Sequence, residues 1–426
     1  DTVDITFWHG MNGDLEDSLT ALTDEYNASQ TKVKVSLENQ GGYEQTLDKY
    51  LQSSQDSRPE MVQAPEYAVQ VMGDTDSNVP VGACIESAAY DTSDFLPKAL
   101  NQYFTEGVQW SMPFNVSDPV LYYNKKVFEA AGLDPNKPPT NMAELRTMSQ
   151  AIVDSGAAGY GLSLDTGADS GGGWFLEQWF AKLGELFSDN DNGRLAPSTK
   201  VNFDSQVGID LLTDLQSLVN DGLAYNVGDN ASGQDALLKL ADPDKAAAMT
   251  IATSAALGTV LTTVQGGLIP GITTDDIGVG PMPAPGDADA PGAIVGGASL
   301  WIVNHDDPAK TAAVWDFISF LISAESQSTW AAATGYVPVR SSALEVGAIA
   351  EKYKTDPRFK VAYDQLLQAA DSPASLGAIL GPQREIRTLS ARAIATVLQG
   401  GDVTAALTDA ATQANALLSA YIAANQ

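Results

Sequence analysis

The stretch Ser111-Met-Pro-Phe-Asn-Val-Ser-Asp-Pro-Val-Leu-Tyr-Tyr-Asn-Lys-Lys126 decides the fold. Pro113 and Pro119 bias the residues before them away from the helical region, so the chain crosses here in extended form. The apolar and aromatic run Val120 to Tyr123 then enters a sheet. A short polar segment between two such stretches reads as a hinge joining two bodies. It brings polar backbone and Ser117 to the place between lobes where ligands tend to bind. Beyond it, Val127, Phe128 and Ala131 lie at helical spacing and Gly132 supplies a left-handed stop. Asn141-Met-Ala-Glu144 has the form of a capping box that opens the next helix.

Toward the N-terminus the pattern alternates. A strand over Val3 to Trp8 is followed by a helix with Leu15, Leu19, Leu22 and Tyr26 on one face. Then come a strand through Val33, Val35 and Leu37, a helix over about Tyr43 to Gln52, and a strand from Met61 to Ala64. That order predicts a doubly wound α/β sheet. Ligands in such sheets sit beyond the carboxyl ends of the strands, which marks the loops His9 to Gly13, Gly41 to Tyr43 and Pro65 to Tyr67.

Toward the C-terminus the chain is mainly helical, with apolar faces in Met142 to Val153, Phe175 to Leu186 and Ile209 to Val219. The proline-rich run from Ile277 to Gly286 predicts a crossing back, and Ala293 to Val303 a buried strand with a glycine bulge. A third crossing is expected near Asn304 to Pro308, where Asp307 and Pro308 form an N-cap and first-turn pair. Val403 to Ala424 reads as a packed Ala/Leu-rich helix. The expected architecture is two-lobed, with 1–115 and 281–318 in lobe 1, 116–280 and 319–426 in lobe 2, and the ligand cleft between them.

A chain of 426 residues exceeds one ordinary core. Its net charge of -31 leaves no basic face for nucleic acid or anionic lipid, and describes a well-solvated surface. The single cysteine, Cys84, excludes an internal disulfide and reads as a small core hydrophobe. No secretory leader precedes Asp1, which fits a mature or trimmed form. The charge-free stretch Ala246 to Thr274 is broken by Gly258, Gly266, Gly267 and Pro270, so it predicts a strand and a helix rather than a membrane span.

Catalytic signatures are absent. His9 and His305 are the only histidines, and neither neighbours a nucleophile elbow or enough ligands for zinc. Ser188-Asp-Asn-Asp-Asn-Gly193 resembles a calcium loop, but the final ligand position falls on Thr199, which reads as a solvated turn. Gly278-Val-Gly280 runs into Pro281 and cannot open a helix on a dinucleotide. The sequence therefore predicts no catalytic residue, metal or cofactor. Paired carboxylates of a glycan or phosphodiester hydrolase stay open among 54 acidic residues.

Eight segments carry a family resemblance: Phe7-Trp-His-Gly10, Gly42-Tyr-Glu-Gln45, Pro113-Phe-Asn-Val-Ser117, Pro119-Val-Leu-Tyr-Tyr-Asn-Lys125, Ala131-Gly-Leu-Asp-Pro135, Gly296-Gly-Ala-Ser-Leu-Trp301, Thr334-Gly-Tyr-Val-Pro338 and Pro382-Gln-Arg-Glu-Ile-Arg387. In order and spanning nearly the whole chain, they resemble the substrate-binding components of glycerol-3-phosphate ABC importers. These form the glycerol-phosphate branch of the extracellular solute-binding proteins. The resemblance implies a type II periplasmic-binding-protein fold without catalysis, periplasmic or lipid-anchored at the outer face of the membrane. It implies a monomer that closes on glycerol 3-phosphate or a glycerophosphodiester and hands it to a membrane permease. It also implies ligand contacts at Tyr43, Glu66, Ser117, Ser254, Gly297, Tyr336 and Arg387, with an aromatic at Trp174. Around Gly171-Gly-Gly-Trp-Phe175 the alignment needs a one-residue shift, which leaves the glycerol end of the site open to a monoester or a diester.

The residue types agree with that ligand. Arg387 offers a permanent forked charge, the two tyrosines and the serines offer neutral donors, and Glu66 suits hydroxyls while repelling phosphate. Glycine at 297 lets a backbone N–H approach an oxygen. The structural alternatives are half-buried tyrosines, a surface acid at Glu66, an Arg387 paired with Glu385 or another acid, and a tryptophan in the core. An oligosaccharide binder of the same family, or an interaction module using the acidic surface, also remains open.

Overall fold

The computed structural model describes residues 2–229, 233–242 and 244–425. The strands among them are β1 (Val3–His9), β2 (Val33–Asn39), β3 (Met61–Pro65), β4 (Asn78–Val79), β5 (Phe104–Thr105), β6 (Val108–Gln109) and β7 (Met112–Ser117). They continue with β8 (Pro119–Asn124), β9 (Tyr160–Asp165), β10 (Ala224–Gly228), β11 (Ala247–Thr253), β12 (Ile277–Pro281) and β13 (Gly296–Val303). By contact the chain divides into two units, Asp1–Ser117 with Val295–Phe359 and Asp118–Ile294 with Lys360–Gln426.

The quoted stretch forms β7 and β8, all of whose residues are buried, and the division falls between them at Ser117 and Asp118. The other two changes of unit are displaced from their expected places. Residues 319–359 belong to the first unit because the helix Ala324–Thr334 carries Trp330. Its ring stacks on Phe114 of β7 at 4.9 Å, while Val337 N donates to Val116 O at 2.7 Å. Residues 281–294 stay with the second unit. Gln178 exchanges two hydrogen bonds with Ile294, at 2.9 and 3.0 Å, and the Trp179 indole donates to Pro283 O at 3.1 Å. The chain therefore does not change unit at 304–308. Asp307 caps the helix Pro308–Leu321 there, accepting from Ala309 N and Lys310 N, and Phe317 of that helix meets Phe7 edge-on at 6.3 Å. These anchors are contacts over long sequence separations, which local punctuation by proline and glycine does not reveal.

In the first unit the sheet runs β2-β1-β3-β13-β4, with β7 also pairing β13. β1 is parallel to β2 and β3, as the alternation predicts, and β13 enters antiparallel. Parallel neighbours direct the carboxyl ends of β1, β2 and β3 to one edge. The loops there meet: a methyl group on Gly10 would lie 2.5 Å from the Gly42 carbonyl carbon. Trp8, Tyr50, Val62, Tyr67, Met72 and Trp301 form a core on one face. Truncating a fully buried tryptophan such as Trp301 costs about 3–5 kcal/mol.

The second unit has the sheet β10-β9-β11-β8-β12, in which β8 is antiparallel to both neighbours. Its larger core joins the sheet to helices Met142–Ser155, Gly172–Lys182, Gln206–Asn220, Gln383–Leu398 and Val403–Ala424. Asn141 caps the first of these by accepting from Glu144 N at 2.9 Å. The Glu144 carboxylate turns to Thr140 instead of completing the reciprocal bond. In the acidic turn, Asp189 binds Thr199 through N and Oγ1 and Lys200 through N, so its carboxylate organises the loop. Cys84 departs from expectation. It is half-buried and lines a groove of about 600 Å³ in the first unit with Val79, Pro308 and Trp315.

Candidate functional site

The sequence-nominated residues divide between the two units, Tyr43, Glu66, Ser117, Gly297 and Tyr336 in the first and Trp174, Ser254 and Arg387 in the second. In the first, the helix Tyr43–Gln52 begins directly after the loop that follows β2, which places Tyr43 at the carboxyl edge of the sheet. Tyr336 lies just beyond Gly335, whose positive φ ends the helix Ala324–Thr334 and turns the chain back. The two hydroxyls are 3.2 Å apart. Asn115 of β7 donates through Nδ2 to the Tyr43 hydroxyl at 2.6 Å, and Gln63 of β3 donates to Asn115 Oδ1 at 2.9 Å. Gln63 in turn accepts from Gly10 N at 3.0 Å. The Tyr336 ring stacks on Trp330 at 5.5 Å with 11° between planes, which fixes its hydroxyl.

Glu66 follows β3 in a short 3-10 turn and is buried, not a surface acid. Burial drives the Tyr43 hydroxyl well above its ordinary pKa, and Tyr336 and Glu66 add to the shift while the Asn115 hydrogen bond opposes it. Burial likewise raises Tyr336, against its bonds to Tyr43 and Asn115 and with help from Glu66. Both tyrosines therefore remain protonated donors at neutral pH. Ser117 ends β7 opposite Gly296, and it is buried. Gly297 has φ +93°, and an added Cβ would sit 1.9 Å from Asn115 O. Glycine is required here by the approach of β7, whose carbonyl occupies the space, and by a left-handed backbone.

In the second unit, Arg387 lies on the buried face of the helix Gln383–Leu398 and is 2% exposed. Its Nε and Nη2 donate to the two carboxylate oxygens of Glu177, each at 2.9 Å, and Nη1 donates to Asp169 Oδ1 at 3.0 Å. Gln383 steadies Glu177 through a 3.2 Å bond to Oε2. The helices meet closely at this point because residue 173 is glycine; a Cβ there would be 2.5 Å from Arg387 O. The expected alternative partner Glu385 pairs with Arg384.

Trp174 opens the helix Gly172–Lys182 beside this pair, with its ring 5.9 Å from Phe175 and within the unit's core. Ser254 begins the short turn after β11, where its N donates to Asp118 O at 2.9 Å and its Oγ accepts from Asp118 N at 3.4 Å. Asp118 is completely buried, which pushes its carboxyl well up. Lys182 is half-buried, and desolvation lowers its pKa to about 8 while Asp118 pulls it the other way.

Gln63, Asn115, Glu177 and Asp169 were not singled out from sequence. Three of them left a signal. Gln63 interrupts the apolar strand Met61 to Ala64, and Glu177 interrupts the apolar run Trp174 to Phe180; a polar group in a buried element must find a partner. Asn115 likewise stands between Phe114 and Val116 in the extended stretch, whereas Asp169 lies in a polar glycine-rich segment where nothing local marks it.

Among the described residues, no group of histidine, cysteine or carboxylates is gathered as a metal site, and no helix is long and apolar enough to cross a membrane. The first unit presents neutral hydroxyls and one buried acid, and the second a guanidinium held on carboxylates.

Residues 21–361 match the family model of bacterial extracellular solute-binding proteins. The chain is 30% identical to the sn-glycerol-3-phosphate-binding periplasmic protein UgpB of Pectobacterium atrosepticum, over 97% of this chain and 91% of that one. It is also 30% identical to the protein of that name from Yersinia pseudotuberculosis, over 99% and 94%. Among solved structures, UgpB from Mycobacterium tuberculosis in complex with glycerophosphocholine matches with a TM-score of 0.80, 21% identity and 98% of each chain covered. The cyclic alpha-maltosyl-1,6-maltose binding protein of Arthrobacter globiformis matches with a TM-score of 0.77 and 23% identity, over 98% of this chain and 99% of that one. At those identities the structural likeness carries the two-lobed α/β fold. The full-length sequence match carries the family: this chain belongs to the bacterial extracellular solute-binding proteins and is the extracytoplasmic solute-binding protein of an ABC importer.

Proposed function

We propose that this protein captures glycerol 3-phosphate between its two units, which close on it, and delivers it to a membrane permease without turning it over. The observation that carries the reading is Arg387. It is a buried guanidinium held by Glu177 on one edge, with a partly exposed carboxylate, Asp169, on the other. A phosphate suits such a group because it offers several acceptor oxygens to a preformed fork. Tyr43 and Tyr336, kept protonated by burial, would donate to ligand oxygens, and Glu66 would accept from glycerol hydroxyls. Ser117 and Ser254 would add donors, and Trp174 would wall the glycerol end. The full-length similarity to glycerol-3-phosphate-binding proteins supports the same ligand.

A glycerophosphodiester is the second reading. Glu177 already matches the charge of Arg387, so the single charge of a diester meets less opposition than a near-dianionic monoester. The solved relative in complex with glycerophosphocholine supports it too.

Calorimetric titration with glycerol 3-phosphate, glycerophosphocholine and maltose, on the wild type and on Arg387→Ala, tests both. Phosphate-dependent binding that is lost in the variant is the expected result. Tight maltose binding indifferent to the substitution would overturn it. Ligand recovered unchanged after long incubation would separate binding from hydrolysis.

A further inference from the structure

We propose that Asp169 is a specificity-determining residue: its carboxylate occupies the Nη1 edge of Arg387 as a built-in competitor, so that only an anion stronger than a carboxylate displaces it. This rests on the reading of Arg387 as the phosphate-binding group.

The two acids on Arg387 are unequal. Glu177 is 3% exposed at its side chain, binds through both oxygens and is itself held by Gln383. Removing either member of such a pair strands a buried charge, so this contact persists through ligand binding. Asp169 is 30% exposed and is bound to the guanidinium at one point only. It lies on the loop between β9 and the helix Gly172–Lys182, in the run Thr166-Gly-Ala-Asp-Ser-Gly171. That loop is tied at its ends, by Gly167 N to Asp165 Oδ1 at 2.6 Å and by Trp174 N to Ala168 O at 2.9 Å. Asp169 can thus rotate away from Arg387 while its neighbours stay fixed and the guanidinium keeps its orientation on Glu177.

The consequence is a threshold. An entering anion exchanges one charged hydrogen bond for another, and its net gain is the difference between its own interaction and that of Asp169. A phosphate, with more charge and more acceptor oxygens, exceeds the carboxylate; a ligand whose only anionic group is a carboxylate does not. The same glycerol backbone carrying a carboxylate, as in glycerate, is therefore refused, even though its hydroxyls match. Discrimination comes from an interaction placed against the wrong ligand.

The test is calorimetry on the whole protein with glycerol 3-phosphate, glycerate and glycerol, for the wild type, Asp169→Asn, Asp169→Glu and Arg387→Ala. Asp169→Asn is expected to tighten glycerol 3-phosphate about five- to tenfold, or ~1 to 1.4 kcal/mol, in line with release of a partly exposed ion pair. It should bring glycerate from undetectable to measurable binding and leave glycerol unchanged. Asp169→Glu keeps a competing acid and should stay close to the wild type. Unchanged or weaker glycerol 3-phosphate binding in Asp169→Asn, with the protein still folded by circular dichroism, overturns the inference while leaving the phosphate reading intact, provided Arg387→Ala abolishes binding. If the wild type binds glycerol 3-phosphate and Arg387→Ala binds it equally well, both fall.

Discussion

In the first unit, Tyr336, Asn115 and Gln63 are buried and Tyr43 half-buried, with no formal charge among the four, whereas in the second Arg387, Glu177 and Asp169 concentrate three charges. The neutral relay is a chain in which each member satisfies the next and ends on backbone at Gly10. Its loss is graded, about 1 kcal/mol for each hydrogen bond removed. The buried pair of the charged cluster has no such gradation, because deleting Arg387 or Glu177 leaves the other buried and unpaired, whereas Asp169 is partly exposed. One unit gathers neutral hydrogen-bonding groups and the other holds a buried cation on carboxylates.

The sharpest way to break the contrast is Arg387→Ala. Stranding Glu177 should lower stability by about 3–5 kcal/mol in urea unfolding. It should also remove about 2–5 kcal/mol of phosphate-ligand affinity by calorimetry. A stability loss below ~1 kcal/mol would show that the cluster behaves like a surface pair.

Two effects of a few kcal/mol follow, the first a pH effect in the charged unit. The proton on half-buried Lys182 is held less tightly in the folded chain, with a pKa of about 8 against 10.5 for the free group. Between those values the unfolded chain carries the extra proton, so stability rises with pH in that window. Relative to Lys182→Met, the wild type should gain about 2–3 kcal/mol from pH 8 to pH 10.5, read from paired urea midpoints. A constant difference across the window would place the lysine in water.

In the first unit, Gly297→Ala should cost about 2–4 kcal/mol, from a left-handed backbone together with the clash on Asn115 O. Because Asn115 supports Tyr43, ligand affinity should fall with it. Smallest of all, Tyr43→Phe removes the hydroxyl shared by Asn115 and Tyr336 and should cost about 0.5–1.5 kcal/mol of stability, with a loss of affinity of similar size. A much larger stability loss would mean that the relay is cooperative and would erase the distinction between the units.

The elements were largely legible from sequence. Val3–His9, Val33–Asn39 and Met61–Pro65 announce themselves by apolar patterning, the helices Tyr43–Gln52 and Val403–Ala424 fall where they were expected, and Asp307 caps its helix. Prolines 113 and 119 located the passage between units to within a residue or two. The return passages were misplaced, since proline-rich runs look alike whether or not they change partner. Their true positions depend on Trp330 finding Phe114 and Gln178 finding Ile294, contacts 216 and 116 residues apart in the chain.

Of the nominated site residues, Tyr43 and Tyr336 are brought together, and Glu66 acts electrostatically on both. The structural alternative for Arg387 was a pairing with Glu385 or another acid, and the acid is not its sequence neighbour Glu385. Residues 385 and 387 are two apart, which puts them on different sides of a helix; Glu177 reaches Arg387 from another helix altogether.

The sequence by itself determined the elements, the family and the types of group available for recognition, because backbone propensity, hydrophobic period and motif order are properties of neighbouring residues. Only the tertiary structure decided which acid holds Arg387, which amide supports Tyr43 and why residue 297 must be glycine. A hydrogen bond or a steric limit between distant segments exists only after folding has brought their atoms within about 3 Å.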